Sequence, residues 1–92
     1  MKDQRYKAIK SLIESRNIQR FKDIFTIIPI STVREDMKIN YNTLRRRIDN
    51  VDLLTVRDIR LMAKLFDVED VLLFQLIQSD YLNQPVQKKK VK

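Results

Sequence analysis

The densest run of side chains able to engage another molecule is Tyr41-Asn42-Thr43-Leu44-Arg45-Arg46-Arg47. An asparagine amide donates and accepts at once, so it meets adenine through two hydrogen bonds. The flat guanidinium fork of arginine meets guanine O6 and N7 in the same two-pronged way, or grips a phosphate. Ten residues upstream, the hydroxyls of Ser31 and Thr32 stand where a helix start offers free amides to an anion. A plainer reading exists for the triplet: Arg45, Arg46 and Arg47 as a solvated face paired with Asp49 and Asp52. Tyr41 lies close enough to the apolar positions to be a core or rim tyrosine as readily as a base contact.

Other chemistries lack their residues. The 92-residue chain has no His, no Cys and no Gly. No imidazole base, thiolate nucleophile, disulfide or ordinary transition-metal site is therefore expected, and no glycine loop cradles a phosphate. The expectation is a protein that is not an enzyme and uses no cofactor. The acidic trio Asp67, Glu69 and Asp70 falls short of the ligand count of a calcium loop and reads better as helix capping.

The net charge is +7, unevenly spread. Residues 1–64 hold 15 basic and 8 acidic side chains, residues 65–82 four acidic and none basic, and residues 83–92 four lysines. A positive body suits polyanions, nucleic acid first and an anionic membrane surface second, although excess charge also serves solubility alone. Residues 1–10 are too polar for a signal peptide, and the apolar runs 24–30 and 71–74 are far short of the roughly 20 residues of a spanning helix. A soluble, cytoplasmic protein is expected. The length allows one domain, residues 1–82, followed by a basic tail at 83–92 with Pro85, Lys88, Lys89, Lys90 and Lys92, expected to be disordered.

Helices must position these groups, for the apolar spacing is helical throughout. Tyr6, Ile9, Leu12 and Ile13 mark one face of a helix near 3–16. Phe21, Ile24, Phe25 and Ile28 repeat the pattern near 20–28, where Pro29 stops it. Thr32 with Glu35 spells a capping box, and Thr55 with Asp58 a looser one. Asn40 fits the cap of a segment 41–49, Asn50 its left-handed end, and Asp67 the cap of a last helix entered at Val68. The fold class is all-α, a compact bundle of five to six short helices.

Between residues 30 and 50 the apolar positions are Val33, Met37, Ile39, Leu44 and Ile48. Two pairs four residues apart make two short helices, and the two-residue step to Ile39 breaks the phase between them. That is a helix-turn-helix over about residues 31–49. With Leu44 and Ile48 pointing inward, 100° per residue turns Asn42 and Arg46 most nearly outward.

This segment resembles the helix-turn-helix of the Cro/CI, or lambda-repressor-like, family. Leu61, Ala63, Leu65 or Phe66 and Val68 are similar to the helix that follows the motif there, so the resemblance covers roughly residues 3–77. Three positions depart from the family pattern: Arg34 where a small residue is usual, Lys38 at the turn glycine, and Arg47 at a position usually apolar. A left-handed Lys38 costs about 1 kcal/mol. The resemblance implies a sequence-specific DNA-binding domain, a bacterial or phage-type transcriptional regulator, with its second helix in the major groove. It implies that Tyr41, Asn42, Thr43 and Arg46 approach bases, and that Arg45, Arg47, Ser31, Thr32 and Lys38 lie against phosphates.

The last segment, with Val68, Val71, Leu72, Leu73, Phe74, Leu76, Ile77, Tyr81 and Leu82, is apolar nearly all round and calls for cover on more than one side. A homodimer through residues 68–82 is one source of cover, and closure of the monomer core the other. A protein-interaction module, docking a partner on this acidic, apolar segment as an antitoxin holds its toxin, is the competing function. A membrane-surface role for the basic helix 2–16 ranks below both, because its apolar stripe is needed inside.

Overall fold

The computed structural model describes residues 3–82, so the lysine-rich tail expected at 83–92 lies outside the described residues. All regular structure among them is helical: α1 Arg5–Glu14, α2 Ile24–Ile27, α3 Ile30–Met37, α4 Tyr41–Asp49, α5 Val56–Phe66 and α6 Asp70–Leu82. Two 3-10 turns, Phe21–Asp23 and Val51–Leu53, precede α2 and α5. No helix among these residues is long and apolar enough to cross a membrane.

Most inward residues are those the spacing selects, but Met62, outside that pattern, is fully buried, while Leu12, Phe25 and Leu61 are only partly so. Ile9, Phe21, Ile24, Ile28, Val33, Leu44, Met62, Phe66 and Leu73 lose all contact with solvent. α5 is the hub, packing against α1, α3 and α6, with the Tyr6 ring tilted against Phe66 at 5.7 Å between centroids. The Tyr6 hydroxyl donates to Asp36 Oδ2 at 2.6 Å, tying α1 to α3. Burial first, and then this bond, push the phenol well above its ordinary value, so it remains a donor.

Boundary residues behave less simply than their types suggest. The segment near 20–28 divides: Phe21–Asp23 is a 3-10 turn, α2 is one turn long, and Ile28 is extended ahead of Pro29. Thr32 and Glu35 form no capping box. Pro29, already extended, takes the capping position, and its carbonyl accepts from the Thr32 and Val33 amides, so α3 starts three residues earlier than a Thr32 cap would give. Asn50 is extended rather than left-handed, and its side chain opens the next turn by accepting from the Asp52 amide. Asp67 does not cap α6. It is itself the left-handed residue that closes α5, and α6 starts at Asp70.

A chain without glycine must end helices with something else. Arg16, Lys38 and Asp67 all have φ near +60°. In each case the next amide reaches back five residues (Asn17 to Leu12, Ile39 to Arg34, Val68 to Ala63) while the left-handed residue bonds three back, the Schellman closure. Each carries a side chain where glycine is free of cost. Replacing the exposed Arg16 with glycine is expected to raise stability by about 0.5–1 kcal/mol, the relief of strain exceeding the added freedom of the unfolded chain. An upward shift of the urea midpoint checks this, and a downward shift contradicts it.

α6 buries one face, through Leu73, Ile77 and Asp80, and leaves Val71 and Phe74 exposed. Cover on every side is thus not found among the described residues. Asp80 is a structural carboxylate: only 1% exposed, it accepts from the amides of Phe21 and Lys22 at 3.0 and 3.1 Å, with Arg20 Nε at 3.6 Å. It pins the end of α6 to the 3-10 turn.

Candidate nucleic-acid interface

α4 begins where a cap is available. The Asn40 side chain accepts from the amides of Asn42 and Thr43 at 2.8 and 3.2 Å, satisfying two of the donors a helix start leaves unpaired. Leu44 and Ile48 anchor the helix in the core. Lys38 supplies the turn between α3 and α4 in a left-handed conformation, and Ile39 plugs it, half-buried.

The outward stripe is set by these anchors. Asn42 and Arg46, one turn apart, are both exposed, and neither side chain has a hydrogen-bond or ionic partner among the described residues. Thr43 is half-buried beside them. Tyr41 is a rim residue, 38% exposed, whose hydroxyl accepts from Arg45 Nη1 at 3.4 Å. Arg45 also lies 3.4 Å from Asp49 Oδ2. The Tyr41 contact and then the Asp49 charge hold its guanidinium above the ordinary arginine value. It is exposed, with part of its charge offset by Asp49.

Arg47 departs from the expected phosphate set. Its Nη1 donates to Asp58 Oδ2 at 2.8 Å, and that carboxylate is almost wholly buried. The same oxygen accepts from the Thr55 amide at 3.0 Å while the Thr55 hydroxyl accepts from the Asp58 amide, the complete capping box. Ile48 takes the buried place, so Arg47 turns sideways and becomes a strut between α4 and α5. The pairing partners of the triplet are therefore Asp49 and Asp58, not Asp52.

Of the other expected phosphate contacts, Ser31 and Lys38 are exposed and Thr32 is half-buried. Because Pro29 takes the Thr32 amide, the unpaired amides at the start of α3 are those of Ile30 and Ser31. Arg34, which the sequence marks as a departure from the family pattern, was given no place in the site. It is partly buried on α3, and its Nε is enclosed without a hydrogen-bond partner among the described residues. Its signal was there to use: a long cation in mid-helix, where the resemblance puts a small residue. Among the described residues, no group of three or more His, Cys, Asp or Glu is placed to hold a metal ion.

Comparison with known proteins finds no matching family model, no matching curated protein and no matching solved structure. The functional reading therefore rests on the residues and on the geometry of α3 and α4.

Proposed function

We propose that this chain binds double-stranded DNA in a sequence-specific way and acts as a transcriptional regulator of the lambda-repressor-like kind, laying α4 in the major groove. The carrying observation is the unencumbered stripe of Asn42 and Arg46 on a helix whose opposite face is locked into the core. An asparagine and an arginine one turn apart offer bidentate partners for adenine and guanine. Tyr41 and Thr43 flank them. Arg45, Lys38 and the Ser31 and Thr32 end of α3 supply phosphate contacts that set register. Arg47 serves the site by holding α4 against α5. The net positive charge draws the protein to DNA. On this reading it works in the cytoplasm of a bacterial or phage-infected cell, nucleoid-associated when bound.

Fluorescence anisotropy with a labelled random-sequence duplex tests the polyanion half of this reading. A few phosphate contacts predict that affinity falls by about 10–100-fold between roughly 50 and 200 mM salt. Binding that ignores salt, or no binding at micromolar protein, contradicts it.

A further inference from the structure

Arg34 stands in the middle of α3 with no hydrogen-bond or ionic partner among the described residues. Its Nε is shut off from solvent, whereas the two terminal nitrogens, equally unpartnered, are not. The guanidinium is thus half-sunk, with its outer edge turned to solvent. An enclosed donor without an acceptor is costly, and an apolar residue here would avoid that cost. The neighbours three and four residues away on α3 are Ile30, Ser31, Met37 and Lys38, which offer no carboxylate and add a second cation. Asp36 stands about 200° round the helix, at 100° per residue, and is taken by Tyr6 of α1. Glu35 is exposed and makes no bond to Arg34.

We infer that Arg34 is the seat of one backbone phosphate of the duplex that α4 reads, held end-on by its two terminal nitrogens. Helical side chains lean toward the start of their own helix, which for Arg34 is the Ser31 hydroxyl and the unpaired amides of Ile30 and Ser31. Lys38 follows one turn the other way, at the turn into α4. Ser31, Arg34 and Lys38 therefore form one stripe of donors along α3 that ends where α4 begins. A phosphate suits it. The flat fork meets two oxygens at once, and a half-sunk guanidinium has already given up part of its water and of its stem's freedom. The inference rests on the DNA reading of α4. The resemblance gives this position no role, since a small residue is usual there, so the contact belongs to this chain.

Anisotropy of a random-sequence duplex across a salt series, with the full chain, reads the outcome. Arg34→Met is expected to bind about tenfold or more weakly near 50 mM salt, and to lower the slope of log affinity against log salt by about one. Its urea midpoint should stay at or above that of the wild type, because methionine removes the unpaired donor. Arg34→Lys should keep most of the slope and recover only part of the affinity, having the charge without the fork. Arg16→Gly removes the same charge on the α6 side of the domain, and should leave the slope unchanged. Inorganic phosphate, matched to chloride in ionic strength, should shift the urea midpoints of wild type and Arg34→Met equally. A wild type that binds with its expected salt dependence, matched by Arg34→Met in affinity and slope, overturns the role of Arg34 and leaves the DNA reading standing. A wild type that binds no duplex overturns both. Equal slope losses from Arg34→Met and Arg16→Gly would reduce the effect to bulk charge and overturn the inference. So would a clear loss of stability in Arg34→Met, or a phosphate-induced shift confined to the wild type, which would make the occupant a free anion.

Discussion

Replacing Asp58 with alanine is expected to lower the unfolding free energy by about 3–5 kcal/mol, a large share of what a domain this size possesses. One buried oxygen of Asp58 serves two elements, accepting from Arg47 on α4 and from the Thr55 amide that starts α5. Alanine removes the cap, worth about 1 kcal/mol. It also leaves the Arg47 guanidinium, with its side chain 28% exposed, in a half-buried place with no counter-charge. That partial exposure lets water screen the orphan, which favours the lower end of the range. Asp58→Asn retains an acceptor for Thr55 and loses only the charge, so its cost should be the smaller. Urea denaturation of the two variants checks the order. A cost below about 1 kcal/mol for alanine would mean that the strut does not hold α4 in place.

Arg46→Ala is expected to cost about 1–3 kcal/mol of discrimination between the preferred site and its single-base variants. Stability should hardly change, since the side chain is exposed and unpartnered among the described residues. Arg45→Ala should act differently, weakening all duplexes to a similar and modest degree. Its charge is already shared with Asp49, and the proposed docking gives it a phosphate rather than a base. Competition titrations with matched and mismatched duplexes separate the two. The reverse order, with Arg45 carrying discrimination and Arg46 only bulk affinity, would reassign the roles within the triplet.

Much of this was legible in the sequence, and the failures have separate causes. Leu44 and Ile48 fixed the phase of α4, and therefore which side chains face out, because burial of two apolar residues outweighs any preference of the polar ones. Asn40 and Thr55 were readable as caps because each bonds an amide two or three residues away. Thr32 and Asp67 satisfied the same local rules and lost. Pro29 already offered α3 an extended residue with a free carbonyl, and closure of α5 needed a left-handed residue at 67. Phase alone placed a turn before Ile39; that Lys38 is its left-handed residue followed only from the resemblance, which puts a glycine there. The roles of Arg47 and Asp80 were not legible. Each depends on a residue far along the chain, Asp58 for the first and the amides at 21 and 22 for the second. The exposed face of α6 was likewise hidden, since an all-round apolar helix does not say which side the core takes.

Selecting bound sequences from a random duplex pool, with wild type and Arg46→Ala in parallel, bears most directly on the reading of α4. The account predicts that wild type enriches a short defined motif, and that the variant retains duplex binding while losing preference at one base pair within it. Enrichment of no motif by the wild type, or an identical motif from both proteins, would contradict it.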